Sequence, residues 1–268
     1  MAPLKISIRG VDVVVTAQPL EASAFAAFGE VIQNPRPGLH PSNFAGAGPL
    51  PLAALSANQG SAIKYQHVTH MVNNYDQAPS GKPGVAVMNM FVCGARKLGT
   101  QRSTSHKITP SSRVFKVDIL ERHPYTTQTF APLSTSGPVH PLAEHGYLVI
   151  VAPGFDTPSD SSASQTQATA STDRGIHYST QGQSQPDLQR LKAFIATTNQ
   201  AVTYGAGVWH APMVALGPEG STIDYVVTQF ANGVGIEDCE EVVMESPEDD
   251  GNVLVEVPGS PSSRASRL

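Results

Sequence analysis

The sequence predicts an all-β fold with a few short helices, and three observations support this prediction. The 268 residues include 23 Gly and 22 Pro, which interrupt the chain too often for long helices. Short segments rich in Val, Ile, Thr, Tyr and Phe lie between these interruptions, as strands require. Turn residues separate nearly all of these segments, which favours a sandwich or a closed barrel.

The first element is expected to be a strand, because apolar residues alternate with other residues between Ile6 and Val15. A short helix is expected next, with Pro19 in its first turn and Gly29 after its end. Eight further strands are expected at 62–69, 85–93, 114–120, 126–132, 147–152, 200–204, 213–216 and 223–230. One more helix is expected from the spacing of Leu188, Leu191, Phe194 and Ile195.

The chain is expected to form one catalytic domain over residues 1–243. Between 154 and 186 most residues are Ser, Thr, Gln, Asp and Ala, which bury too little apolar surface to offset the entropy of ordering. We interpret this segment as a disordered insertion, and a linker between two domains is the alternative. Residues 244–268 are acidic and then rich in Pro and Ser, so we expect a loose C-terminal tail.

Charge and hydropathy argue against two classes of partner. The net charge is −5, and no long basic run provides the positive field that nucleic acid binding requires. No apolar run reaches the length of a membrane span, and the N-terminus lacks the apolar region of a signal peptide. The two cysteines, Cys93 and Cys239, are widely separated, which favours a reducing compartment.

Four residues are the best candidates for chemistry. If residues 114–123 form one strand, Glu121 and His123 continue the apolar face of Val117 and Ile119. A hairpin at 124–127 would return Gln128 close to His123. Much later, His210 follows a turn at Gly207.

The spacing Glu121-x-His123-x4-Gln128, followed by Gly207-x2-His210, resembles the two-part motif of cupins, His-x-His-x(3–4)-Glu and Gly-x2-His. Glu121 replaces the first His of that motif, and Gln128 replaces its Glu. The resemblance implies a cupin-like antiparallel β-barrel, or jelly roll, in which Glu121, His123, Gln128 and His210 hold a divalent metal. Ni, Zn or Mn would suit such ligands. A metal-independent site, in which the same residues are catalytic, is the alternative.

Longer strings are similar to those of the ureidoglycolate lyase family. They are Leu-Glu-Arg-His-Pro (120–124), Thr-Gln-x-Phe (127–130) and Tyr-x3-Val-Trp-His-x-Pro (204–212). With weaker strings, the resemblance covers about residues 17–240 apart from the segment 154–186.

This resemblance implies a homodimeric cupin that splits (S)-ureidoglycolate into glyoxylate and urea during the breakdown of allantoin and purines. A base must take the hydroxyl proton, an acid must protonate the departing nitrogen, and cations or donors must bind the carboxylate. Glu121, His123, Gln128 and His210 are the expected catalytic residues. The expected substrate-binding residues are Lys64, Arg96, Lys116, Arg122, Tyr204 and Trp209. An amidohydrolase that releases ammonia and a non-catalytic cupin that binds a small molecule are the alternatives.

The chain ends in Ser266-Arg267-Leu268, a variant of the Ser-Lys-Leu signal that the peroxisomal import receptor binds. We therefore expect a peroxisomal location, with the cytoplasm as the alternative.

Overall fold

Strands are the main secondary structure of the protein. The computed structural model describes residues 3–100, 113–136, 146–155, 175–177, 184–246 and 251–258. Its strands are β1 Leu4–Arg9, β2 Asp12–Thr16, β3 Gln18–Pro19, β4 Gly29–Gln33, β5 Leu55–Ala57, β6 Ala62–Lys64, β7 Val85–Gly94, β8 Gly99–Thr100, β9 Arg113–Lys116, β10 Ile119–Arg122, β11 Gln128–Ser136, β12 Gly146–Ala152, β13 Gly175–His177, β14 Lys192–Thr197, β15 Gln200–Tyr204, β16 Trp209–His210, β17 Val214–Leu216, β18 Thr222–Ala231, β19 Glu240–Glu245 and β20 Asn252–Val257. The helices are α1 Ala22–Phe25 and α2 Gly235–Asp238, with 3-10 turns at Pro41–Gly46, Asn58–Gly60, Tyr75–Gln77 and Leu188–Arg190.

The strands form three main sheets and one small hairpin. A nine-stranded sheet has the order β13-β1-β19-β10-β16-β12-β14-β3, and β17 also pairs with β12. A five-stranded sheet has the order β4-β15-β11-β18-β7, and a four-stranded sheet has the order β2-β20-β9-β8. Strands β5 and β6 form the hairpin. The all-β, cupin-like fold expected from the sequence is confirmed.

The nine-stranded sheet is the central layer, because its two faces contribute to different apolar clusters. Tyr147 and Val149 of β12 pack with residues of the five-stranded sheet, whereas Leu148 and Ile150 pack with the four-stranded sheet. Every residue of β12 is consequently buried. Burial on both faces explains the unbroken apolar run in this segment.

Two of the expected elements are wrong in detail. The N-terminal strand is divided at Gly10, whose φ of 62° turns the chain from the central sheet into the four-stranded sheet. The segment 114–120 is likewise divided, since the chain passes from β9 to β10 at Val117 and Asp118. The face expected from strand parity is therefore interrupted, and Ile119 is exposed while Leu120 is buried.

The helix expected at 188–195 is also wrong. A single 3-10 turn at Leu188–Arg190 leads into β14, which pairs with β12. Ala193 faces one apolar cluster and Phe194 faces the other, so this strand is buried on both sides. Its sequence therefore lacks the alternation that marks a strand with one exposed face.

The prediction of a loose C-terminal tail over residues 244–268 is wrong for the first half of that segment. Met244 belongs to β19, and β20 lies between β2 and β9. The side chains of Val253, Leu254, Val255 and Val257 are all at most 2% exposed. The domain therefore extends to residue 258.

Most of the expected insertion at 154–186 lies outside the described residues, as do the last ten residues of the chain. The ends of the insertion meet, because Gly154 and Pro186 form a β-bridge. Within it, β13 pairs with β1, so residues 175–177 join the central sheet. The described helices are all too short to cross a lipid bilayer.

Candidate active site

Three strands bring the candidate residues together. Glu121 near the end of β10 lies directly opposite His210 in β16, and Gln128 begins β11. The backbone N–H of Gly207 donates to the carbonyl of His123 at 2.8 Å, which ties the turn before β16 to the end of β10. Gly207 has a φ of 76°, a conformation that favours glycine.

The four side chains converge at one end of the space between the sheets. His210 Nε2 lies 3.2 Å from Gln128 Oε1 and 3.6 Å from Glu121 Oε1. The ring centroids of His123 and His210 are 5.5 Å apart. One potential ligand atom from each of Glu121, His123 and His210 lies within 4.8 Å of the other two. The cupin spacing therefore corresponds to a real cluster.

Main-chain carbonyls determine which nitrogen of each histidine carries the proton. His123 Nδ1 donates to the carbonyl of Asp238 at 2.6 Å, and His210 Nδ1 donates to the carbonyl of Val208 at 2.9 Å. A carbonyl can only accept, so Nδ1 is protonated in both rings and each neutral ring presents a bare Nε2 to the cluster. His123 Nε2 is buried and has no hydrogen-bond partner among the residues that the structure describes.

The cluster is therefore an array of acceptors. The two Nε2 atoms, the Glu121 carboxylate and Gln128 Oε1 all offer lone pairs, and none of them brings a proton. Burying such groups without a donor is unfavourable. Two imidazoles, a carboxylate and an amide oxygen form a ligand set that suits Ni, Zn or Mn, so the residues present fit the cation that a cupin site implies.

The electrostatic environment maintains the protonation states that cation binding requires. Burial lowers the pKa of His123, and the adjacent His210 lowers it further. Burial raises the pKa of Glu121, but the hydrogen bond and charge that His210 contributes when its ring is protonated, together with the charge of protonated His123, outweigh it, so the pKa of Glu121 is lowered on balance. At neutral pH, His123 is therefore neutral and Glu121 is ionised.

A second group, formed by Glu121, Cys239 and Glu241, has similar spacing. Burial, together with nearby carboxylates, raises the pKa of Cys239 to about 12. Since a thiolate is the form that binds metal, this group is the weaker candidate.

Aromatic side chains support the histidine pair. Tyr204 stacks on His210, with centroids 4.0 Å apart and ring planes 11° apart. Phe130 packs edge-on against Tyr204 and Tyr225. Tyr204, expected to bind substrate, is 1% exposed and instead fixes the plane of His210.

Sequence reasoning missed Gln229, which faces Gln128 across β11 and β18. Gln128 Nε2 donates to Gln229 Oε1 at 2.6 Å, and this hydrogen bond directs Gln128 Oε1 toward His210. The sequence of β18 does contain a signal for Gln229. Ile223, Tyr225 and Val227 form the inward row of β18, and Gln229 continues that row with a polar side chain.

The four expected carboxylate partners do not join the cluster. Lys64 is exposed on the β5–β6 hairpin. Arg96 and Lys116 line another cavity of about 410 Å³, which none of the four clustered residues lines. Arg122 lies beside the site in sequence, but it forms a 2.7 Å ion pair with Glu240.

Trp209, expected to contact substrate, belongs to the core. It is fully buried on the opposite face of the central sheet from Tyr204, and the Arg122 guanidinium lies 4.9 Å from its ring centroid. Adjacent residues of a strand point to opposite faces, so the inward position of His210 directs Trp209 away from the site.

Comparison with known proteins identifies the family. The family model described as ureidoglycolate lyase matches residues 12–249. A Schizosaccharomyces pombe protein named ureidoglycolate lyase is 31% identical over 233 residues, which cover 87% of this chain and 93% of the relative. The Saccharomyces cerevisiae protein of that name is 31% identical over 74% of this chain and 80% of the relative. One from Burkholderia mallei is 26% identical over 76% of each chain. The chain belongs to the ureidoglycolate lyase family.

Proposed function

We propose that this protein is a ureidoglycolate lyase, which eliminates urea from (S)-ureidoglycolate to give glyoxylate in purine catabolism. The observation that carries the proposal is the convergence of Glu121, His123, Gln128 and His210 in a chain of this family. The substrate carries a hydroxyl, a carboxylate and a ureido nitrogen on one carbon. Its cleavage requires only a transfer of one proton from the hydroxyl to that nitrogen as the C–N bond breaks.

Glu121 is the residue that we assign to this proton transfer. It is ionised, and its side chain is 19% exposed, whereas that of His210 is only 2% exposed. Its carboxylate accepts the hydroxyl proton while the carbon–oxygen double bond forms. The same proton passes to the ureido nitrogen as urea departs, so Glu121 ends the cycle ionised.

A divalent cation, Ni, Zn or Mn, is part of the proposal. His123 Nε2, His210 Nε2, Gln128 Oε1 and the Glu121 carboxylate are the atoms that would hold it. When bound, such a cation supplies Lewis acidity, which lowers the pKa of a coordinated hydroxyl. Gln229 then directs the Gln128 amide and leaves its own N–H groups for a substrate oxygen.

Product analysis tests the proposal. Purified protein is incubated with each enantiomer of ureidoglycolate, and glyoxylate, urea and ammonia are measured, with and without chelation and re-addition of each metal. Equal amounts of glyoxylate and urea from the (S) enantiomer are expected. Ammonia instead of urea would indicate an amidohydrolase, and substrate binding without turnover would indicate a binding protein.

We also propose that the protein is a homodimer formed through β7. This ten-residue strand ends the five-stranded sheet and contains no charged residue. Its residues Met88, Met90 and Val92 are 74%, 58% and 65% exposed. Soluble proteins usually protect such an apolar edge. Antiparallel pairing of two β7 strands about a twofold axis would cover it, and sedimentation of the purified protein gives the oligomeric state.

Finally, we propose that Ser266-Arg267-Leu268 binds the peroxisomal import receptor. A fluorescent protein fused to the N-terminus leaves these residues free, and we expect punctate fluorescence that overlaps a peroxisomal marker. Removal of the three residues should make the fluorescence diffuse. A diffuse signal from the full-length fusion would place the protein in the cytoplasm instead.

A further inference from the structure

The segment 232–239, between β18 and β19, forms a hydrogen bond with the active site through the carbonyl oxygen of Asp238, which accepts from His123. We propose that Tyr75 and the Asp238 carboxylate are positioning residues, which hold this carbonyl against His123 and so fix the tautomer and orientation of the His123 ring. Neither side chain touches the cluster itself. The inference rests on the proposed function in one respect only, because it takes His123 as a ligand of the proposed cation.

The Asp238 carboxylate fixes the path of its own backbone. Its Oδ1 accepts hydrogen bonds from Tyr75 Oη at 2.6 Å and from the Asn232 N–H at 2.8 Å. Its Oδ2 accepts from the Gly233 N–H at 2.9 Å. The Asp238 N–H in turn donates to the carbonyl of Val234 at 2.8 Å. With side chain and amide both restrained, the carbonyl of Asp238 has little freedom to turn away from His123.

Tyr75 connects this segment to a different part of the chain. It is 1% exposed and packs beside Tyr125, with ring centroids 5.7 Å apart. A Cβ atom on Gly84 would lie 2.3 Å from the Tyr75 ring, so the absence of a side chain there admits the ring. Burial and the hydrogen bond to Asp238 raise the pKa of Tyr75, so its hydroxyl remains a donor at physiological pH.

The consequence at His123 concerns a single proton. While the carbonyl of Asp238 lies 2.6 Å from Nδ1, the proton stays on Nδ1 and Nε2 is free to bind a cation. If the carbonyl moved away, the neutral ring could place its proton on Nε2, and a donor would then block the ligand position. Partners that orient a metal-binding histidine typically change metal affinity by about 10–100-fold when they are removed.

The main test variant is Tyr75→Phe, which removes one hydroxyl and preserves the packing of the ring. The matched control is Ser80→Ala. Ser80 Oγ donates to Glu237 at 2.6 Å, so this change loosens the same segment without altering a hydrogen bond to Asp238. Asp238→Asn is the second variant. The carboxylate accepts three hydrogen bonds through two oxygens, whereas the amide has only one oxygen and cannot accept all three.

Two readouts are measured on the full chain, and neither uses ureidoglycolate. Titration with nickel(II), zinc(II) or manganese(II) chloride gives the metal affinity, and ¹⁵N NMR of the metal-free protein gives the tautomer of His123. We expect Tyr75→Phe to weaken metal binding by about tenfold and to populate the Nε2–H tautomer. Ser80→Ala should resemble the wild-type protein in both.

Two results would overturn the inference. One is an unchanged tautomer in both Tyr75→Phe and Asp238→Asn. The other is an equal change in Ser80→Ala, since that would reflect general loosening of the segment. Absence of urea production by the wild-type protein would instead contradict the proposed function, and the NMR result would still decide the role of Tyr75 and Asp238.

Discussion

His210 Nε2 lies 3.2 Å from Gln128 Oε1, and neither atom carries a proton when His210 is neutral. Two lone pairs face each other in a buried site, and a cation between them would relieve their repulsion.

The first prediction therefore concerns Gln128→Glu, which adds a negative charge at this position. We expect tighter metal binding, by about tenfold or more. We also expect a lower melting temperature without metal, because the new carboxylate faces Glu121 and Gln229 Oε1. A metal affinity equal to that of the wild-type protein would indicate that residue 128 is not a ligand.

The second prediction concerns the histidines. His123→Ala and His210→Ala should each reduce turnover by about a hundredfold or more, a typical loss for a ligand or a positioned acid or base. The control is His67→Asn, because His67 is exposed and its φ of 52° is one that Asn tolerates. Wild-type turnover in both alanine variants would remove these residues from the site.

The third prediction concerns β7 and the proposed dimer. Met90→Lys places a charge on an exposed apolar edge, and charge on an edge strand opposes pairing. Sedimentation should show a monomer for this variant and a dimer for the wild-type protein. Leu52→Lys, also at an exposed apolar residue but on the chain before β5, should remain dimeric. A monomeric wild-type protein, or a dimeric Met90→Lys variant, would contradict the β7 interface.

The fourth prediction concerns pH and Glu30. Burial raises the pKa of Glu30, but hydrogen bonds from Thr69 and from the N–H of His70 outweigh it, so the net pKa lies below the ordinary 4.5. A depressed pKa stabilises the fold above the ordinary value, and this stabilisation is lost as pH falls through the folded-state pKa.

The melting temperature of Glu30→Gln should thus lie below that of the wild-type protein at pH 7, and the difference should narrow below pH 4.5. Glu21→Gln is a suitable control, because the Glu21 side chain makes no capping hydrogen bond to α1. An unchanged difference across this pH range would mean that Glu30 does not contribute in this way.

The fifth prediction concerns the C-terminus. Ending the chain after Pro258 should leave a stable protein, whereas ending it after Ser246 removes β20. The four buried apolar side chains of β20 contribute roughly 1.5–3 kcal/mol each. Their sum approaches the whole stability of a typical domain, about 5–15 kcal/mol. Circular dichroism should show a cooperative unfolding transition only for the longer chain. A folded protein that ends at Ser246 would contradict the structural role of β20.

The core of the site could be predicted from the sequence because its residues have fixed spacings. Glu121 and His123 are two positions apart near the end of one strand, and Gln128 follows after a short turn. His210 could be added because Gly207 marks the turn before it. The pairing of Glu121 with His210 required the structure, since nearly 90 residues separate them.

Other features could not be predicted, for physical reasons. A strand buried on both faces carries no alternation, so the apolar spacing of residues 188–195 predicts a helix where the structure has β14. The alternating residues of β20 were obscured by the acidic and Pro-rich residues around them. The links from Tyr75 and Asp238 to His123 depend on a main-chain carbonyl, which every residue possesses and which no sequence pattern can mark. Charge marks Lys64, Arg96, Lys116 and Arg122 as carboxylate partners, but charge does not indicate the face on which a side chain lies.

The burial of β12 on both faces has a consequence for how the protein loses activity. Amides in such a strand exchange with solvent most slowly, because they open only when the whole domain opens. His210 pairs with Val151 of β12, so β16 is attached to a strand that is buried on both faces. Local fluctuations at β7 or at the β5–β6 hairpin can therefore occur without displacing His210. On heating, catalysis and native structure should disappear together, with no folded but inactive stage between them.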